Sequence, residues 1–88
     1  MTVSVSTIGV FKTLPAALSV SLGEGARFAD LIGEVAKEYP EFREILCAEE
    51  DRGVVVLQNG RSILLNGGMD APLAEGDDLF IAPMTYGG

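Results

Sequence analysis

Gly87 and Gly88 close the sequence, and they offer chemistry that side chains elsewhere do not. With no Cβ on either residue, nothing crowds the terminal carboxylate in a narrow channel or shields it from a nucleophile. The backbone there also reaches conformations closed to other residues. A carboxylate is inert until it is activated. Adenylation by ATP would turn Gly88 into an acyl-adenylate with a good leaving group. A sulfur nucleophile would then give a thiocarboxylate, –C(=O)–SH, so that the chain carries sulfur on its own terminus. Such chemistry needs neither cysteine nor histidine. The alternative is a tail of no chemical role.

The other candidates are weaker. The sequence has no histidine and one cysteine, which excludes Ser-His-Asp and Cys-His sites and Cys/His zinc sites. Cys47 stands among Ile45, Leu46 and Ala48 and reads as a buried small hydrophobe, with no adjoining positive charge to favour a thiolate. A single cysteine forms no internal disulfide. None of the thirteen carboxylates has a histidine to pair with. Asp77-Asp78 are adjacent carboxylates but not a metal site, and Gly76-Asp77 before a strand reads as a turn. No metal ligand set is expected. Glu49-Glu50-Asp51 reads as a solvated loop or as the acidic rim of a surface for a basic partner. Gly23-Glu24-Gly25 lacks the rest of either phosphate-binding glycine fingerprint. Whether the chain is itself an enzyme stays open.

Eighty-eight residues make one small domain with one modest core. A hydrophobic fraction of 48% argues against disorder. The net charge of −7 makes nucleic acid and anionic membrane poor partners. The acid is uneven: residues 1–48 hold four basic and six acidic residues, residues 49–88 two and seven. No apolar run approaches the ~18 residues of a membrane span. The N-terminus lacks the basic region of a signal peptide, so a cytoplasmic protein is expected.

The elements that would hold the tail follow from periodicity. Val3 and Val5, with Ser4 and Ser6 opposite, open a β-rich segment that residues 8–11 extend, with a bulge near Gly9. Leu18, Val20 and Leu22 alternate with Ser19 and Ser21 as a second strand. Phe28, Leu31, Ile32, Val35, Ala36 and Tyr39 form a continuous helical stripe, stopped by Pro40. Gly25 or Glu24 would cap it. Residues 41–48 predict a short second helix with Phe42, Ile45 and Leu46 on one side. Val54-Val55-Val56-Leu57 reads as a strand, Asn59-Gly60 as a hairpin turn, and residues 63–65 as the returning strand. Asn66-Gly67-Gly68 is loop, residues 70–73 a turn, and residues 79–82 the last strand, ended by Pro83.

This order, ββαββ with one long amphipathic helix, must bury the helix stripe on one face of a mixed sheet. It is the layout of an α+β β-grasp, the ubiquitin-like fold, with four to five strands, over residues 1–83. Residues 84–88 are then a flexible tail. A split ferredoxin-like layout would need a second full-length helix. In the last strand, one alternation turns Leu79 and Ile81 to the helix and Phe80 and Ala82 to the open face of the sheet. An outward Phe80 there would mark an interface. A register shifted by one would bury it instead.

These residues resemble the ubiquitin-like sulfur carriers (MoaD/ThiS-like), most of all the small subunits of molybdopterin synthase. The similarity runs nearly end to end. It covers Thr7-Ile8-Gly9-Val10-Phe11-Lys12, the helix entry from Gly23-Glu24-Gly25 to Asp30-Leu31, and Asn59-Gly60. It continues through Ala71-Pro72-Leu73-Ala74-Glu75-Gly76-Asp77-Asp78-Leu79 to Pro83 and Gly87-Gly88. Family members often end Pro-Pro-Val-x-Gly-Gly, where this chain has Pro83-Met84-Thr85-Tyr86-Gly87-Gly88. Ile8 also stands where an aromatic is usual. The resemblance implies an adenylating partner of the ubiquitin-activating type, which uses ATP, and a sulfur-acceptor enzyme such as the molybdopterin synthase large subunit. No cofactor is expected on this chain. Met84, Thr85, Tyr86 and Gly87 would thread the partner's active site, with Gly88 as the adenylated and thiocarboxylated residue. Ile8 would join Phe80 and Ala82 in docking. Related carriers serve thiamine, cysteine and other products, and some relatives are conjugated to lysines, so those alternatives stay open.

Overall fold

Alternation builds the first hairpin of the protein, whose computed structural model describes residues 1–47 and 53–84. β1 (Thr2–Thr7) buries Val3 and Val5 completely and leaves Ser4 exposed. β2 (Ala17–Ser21) pairs with it antiparallel, Val3 opposite Val20 and Val5 opposite Leu18. Contrary to the sequence expectation, residues 8–11 are not part of the strand. Gly9 takes φ 65°, a left-handed turn that leads the chain out of the ladder rather than a bulge within it. Ile8 keeps one tie, its N–H donating to the Ile81 carbonyl at 3.0 Å.

The apolar stripe becomes α1 (Phe28–Ala36), with Phe28, Leu31, Ile32 and Val35 buried. Its cap is Arg27, not Gly25 or Glu24. The Asp30 carboxylate reaches back and accepts the Arg27 N–H at 2.8 Å, satisfying an otherwise orphaned donor. Gly25, at φ 81°, lies in the preceding turn. The helix ends at Ala36, one turn before the Tyr39 that closes the sequence stripe, because Pro40 opens α2 (Glu41–Leu46). Phe42 of α2 is fully buried and its ring stacks on Phe11 at 5.2 Å. The Glu41 carboxylate accepts the Lys12 N–H at 2.9 Å, together with the N–H and hydroxyl of Thr13. These bonds hold Glu41 below its ordinary pKa, the Thr13 hydroxyl contributing most. The loop between β1 and β2 is thus tied to α2.

β3 (Val54–Gln58) turns at Asn59 (φ 53°) and Gly60 (φ 86°), the left-handed pair that a two-residue hairpin needs. The returning strand β4 holds only Arg61–Ser62. Residues 63–65, expected as strand, instead lie in a 3-10 turn, Ile63–Asn66. The Ser62 hydroxyl accepts the Leu64 N–H at 3.3 Å and caps the turn. One apolar side chain, Ile63, then points into the core, while Leu64 and Leu65 remain 80% and 75% exposed. A second such turn, Gly68–Asp70, brings Pro72 to bridge Arg27 beside the start of α1.

β5 (Asp78–Pro83) is the centre of the sheet, parallel to β1 and antiparallel to β3. The five strands lie in the order β2-β1-β5-β3-β4. The core lies between the helices and one sheet face, where Val3, Val5, Val20, Leu79 and Ile81 meet Phe28, Leu31, Ile32, Val35 and Phe42. This is the β-grasp arrangement expected from the sequence.

Candidate functional site

The strand register decides which residues stand near the end of the chain. Val5 lies opposite Leu79, and Ile81 lies between Thr7 and Val56, all on the helix side. Phe80 therefore faces the other way, between Ser6 and Leu57, and Ala82 lies opposite Val55. Leu79 and Ile81 are fully buried and Phe80 is half-buried, so the expected register holds. Both helices pack on the opposite face.

This open face has two halves. Toward β2 it carries Ala17, Ser19, Ser4 and Ser6; toward β3 it carries Phe80, Leu57 and Val55. Sequence reasoning named Phe80 and Ala82 but missed Leu57 and Val55. The signal was available: a two-residue turn at Asn59-Gly60 fixes Gln58 opposite Arg61, and alternation then assigns every β3 side chain a face. Ala82 shares the face but is fully buried, a single methyl set among longer neighbours that include Val55. It shapes the face without offering surface.

The point where the chain leaves the sheet is pinned from two sides. Gly9 lies against the Pro83 ring, and Ile8, 42% exposed, follows directly on the Thr7–Ile81 pair. On the other side the Met84 N–H donates to the Gly53 carbonyl. Met84 is 55% exposed and is the last described residue. Thr85, Tyr86, Gly87 and Gly88, and likewise Glu49, Glu50 and Asp51, lie outside the described residues. Beside Met84, a groove of about 230 Å³ runs between Leu46, Val54, Ile63, Leu64 and Met69. Reading residues 63–65 as strand hides this groove, since its Ile63–Leu64 wall depends on the 3-10 turn.

Asp77 has a structural place in this frame. Its carboxylate accepts Asn59 Nδ2 and Gln58 Nε2, both at 3.0 Å, and the Ala74 N–H at 2.9 Å. Asn59 Oδ1 in turn accepts the Asp78 N–H at 2.9 Å. The start of β5 is thereby locked to the β3–β4 hairpin. Desolvation pushes the Asp77 carboxyl up, but the bonds from Asn59, Ala74 and Gln58 together outweigh it and leave the pKa below its ordinary value. Among the described residues no group of three or more potential ligands could hold a metal ion. No described helix is long and apolar enough to cross a membrane. Cys47 is exposed, not buried as expected, because α2 ends at Leu46 and its inward positions are filled by Phe42, Ile45 and Leu46.

The profile of the ThiS family matches residues 9–88, running from the Gly9 turn to the final glycine. The chain belongs to the ThiS family. A Pyrococcus furiosus protein assigned as molybdopterin converting factor, subunit 1, is 31% identical over 93% of this chain and 95% of that one, with a TM-score of 0.73. A chain of the Amycolatopsis orientalis BexX/CysO complex is 26% identical, covers 98% and 99% of the two chains, and has a TM-score of 0.72. SAMP1 from Haloferax volcanii superposes over 100% of both chains with a TM-score of 0.71; at 19% identity that likeness concerns the fold alone. No curated protein matches the sequence. Membership makes this ThiS-family chain a sulfur carrier or small modifier of the ubiquitin-like kind.

Proposed function

We propose that this ThiS-family chain is the sulfur-donating small subunit for molybdopterin formation. The observation that carries the reading is the family match through Gly87-Gly88, joined to 31% identity with the Pyrococcus furiosus molybdopterin converting factor subunit. The Gly88 carboxylate attacks the α-phosphate of ATP on an activating enzyme, and pyrophosphate leaves. A hydrosulfide equivalent then attacks the acyl carbon, AMP leaves, and the terminus becomes a thiocarboxylate. On the acceptor enzyme the sulfur passes to the pterin precursor, and water restores the carboxylate. Met84, Thr85, Tyr86 and Gly87 thread the partner's channel, with no Cβ beside the reacting carbon. Phe80, Leu57 and Ile8 supply the apolar contact. A half-buried apolar half-face with no helix over it, next to the chain exit and to exposed Ile8, is where a partner that swallows the tail must sit.

The test is reconstitution. Chain carrying the thiocarboxylate is mixed with a molybdopterin synthase large subunit and the cyclic pyranopterin precursor, and the dithiolene product is measured. Product formed in proportion to thiocarboxylate supports the assignment. No product, with sulfur released instead to an enzyme of thiamine or cysteine synthesis, would move the chain to another branch of its family.

A further inference from the structure

β2 is an edge strand, and its outer rim is unguarded. Met1 and Leu22 exchange both backbone hydrogen bonds, at 2.6 and 2.8 Å, and the Thr7 N–H donates to the Ala16 carbonyl at 2.9 Å. Bonded pairs recur at every second residue of an antiparallel ladder, so Val3–Val20 and Val5–Leu18 are the bonded pairs. The N–H and C=O groups of Ala17, Ser19 and Ser21 therefore point away from β1, and none of them is hydrogen-bonded among the described residues. Edges are ordinarily blunted by charge, proline, a bulge or shortness. At the opposite edge β4 has two residues and runs straight into a 3-10 turn. β2 has five residues, with no charge, no proline and no break in register.

Alongside this rim, between β2 and α1, runs a groove of about 210 Å³. Leu18, Val20, Val35 and Tyr39 give it apolar walls, and Glu34 and Glu38, one helical turn apart and exposed, stand over it. Lys37 pairs with Glu34 at 3.0 Å on the exposed surface, a weak contact that a competing cation can displace.

We propose that this rim is a docking site, separate from the open sheet face, for an extended basic peptide segment that adds to the sheet beside β2. The outward groups of Ser19 and Ser21 form the new ladder. Small aliphatic side chains on the α1 side fill the groove, and a lysine or arginine at one end meets Glu34 and Glu38. Charge selects this occupant over a second copy of the chain. A copy would bring a further net −7 and its own Glu34 and Glu38 against the same carboxylates, whereas a basic strand neutralises them. β1 and β5 separate β2 from β3, so a segment bound here leaves Phe80 and Leu57 accessible.

The test titrates the full chain with acetyl-Lys-Ser-Val-Ser-Val-Ser-Lys-amide, in which both lysines and both valines share one face of a strand. Backbone amide NMR is the readout. Saturable shifts are expected at residues 17–21 and 34–39, with slowed exchange of the Ser19 and Ser21 amides. The Glu34→Gln/Glu38→Gln variant should bind roughly tenfold more weakly at low salt. Ser19→Pro removes an outward donor without touching a bond to β1, and it should abolish binding. If Ser19→Pro does not fold, the glutamate variant decides. Shifts confined to other residues, equal binding of the same peptide ending in glutamate, or dimerisation through residues 17–21 without peptide would each overturn the proposal.

Discussion

The two faces of β5 are made by alternate residues of one six-residue strand, yet they serve opposite ends. Leu79 and Ile81 are fully buried under α1 and set the sheet against the helix. Phe80, one residue along, is half-buried and shares its face with Leu57, Val55 and a row of serines. The helix side is a filled core, in which each methylene removed leaves a hole. The open side carries no helix, and its apolar half, Phe80 with Leu57 and Val55, lies beside the exit of the chain. A strand with period two can serve both, because a change on one face hardly reaches the other.

Truncations across this divide should separate stability from binding. Leu79→Ala should cost about 3 kcal/mol, since a fully buried leucine leaves a cavity that the neighbours close only in part. Phe80→Ala should cost about 1 kcal/mol of stability. At a partner interface the same change should weaken the complex with the activating or acceptor enzyme by about 2 kcal/mol, mostly through faster dissociation. Denaturant melts and binding rates on both variants check this. Equal loss of stability in the two would erase the distinction between the faces.

Asp77 sits at the join and should come next. Asp77→Ala leaves the Asn59 Nδ2 and Ala74 N–H donors without their acceptor, and Gln58 Nε2 with only the Pro72 carbonyl, and should cost about 2 kcal/mol. The pH dependence has a definite sign. The folded-state pKa lies below the ordinary carboxyl value, so the contribution is full above about pH 4 and is lost as pH falls through the folded value. Asp77→Asn should remove that part of the acid destabilisation. Melts of parent and variant between neutral pH and pH ~3 measure the difference. The smallest effect belongs to Cys47→Ser, within about 0.5 kcal/mol, because the thiol is exposed. Sulfur transfer should persist in that variant, which separates a terminal thiocarboxylate from a persulfide on Cys47.

Elements whose faces are set by periodicity were legible in the sequence. The α1 stripe and the inward Leu79 and Ile81 each follow from spacing alone. Elements set by single local bonds were not. Residues 63–65 have strand composition, but the Ser62 hydroxyl caps a turn there and buries only Ile63. Residues 8–11 leave the ladder at Gly9, and the Glu41 carboxylate, distant in sequence, holds the loop that follows. Cys47 looked like a core residue because its neighbours are apolar, whereas its exposure depends on where α2 ends. On the open face of the sheet, Phe80 followed from alternation. Leu57 and Val55 required β3 to be placed in register beside β5.

The most direct measurement is the intact mass of the full chain after incubation with ATP, its activating enzyme and a sulfur source, beside a variant lacking Gly87-Gly88. The parent should gain the mass difference of one oxygen exchanged for one sulfur, located by fragmentation at Gly88. The shortened chain should melt at the parent's temperature and gain nothing. Sulfur found on Cys47, or a parent mass unchanged by ATP and the activating enzyme while the enzyme is competent on another carrier, would contradict the assignment of Gly88 as the sulfur-bearing residue.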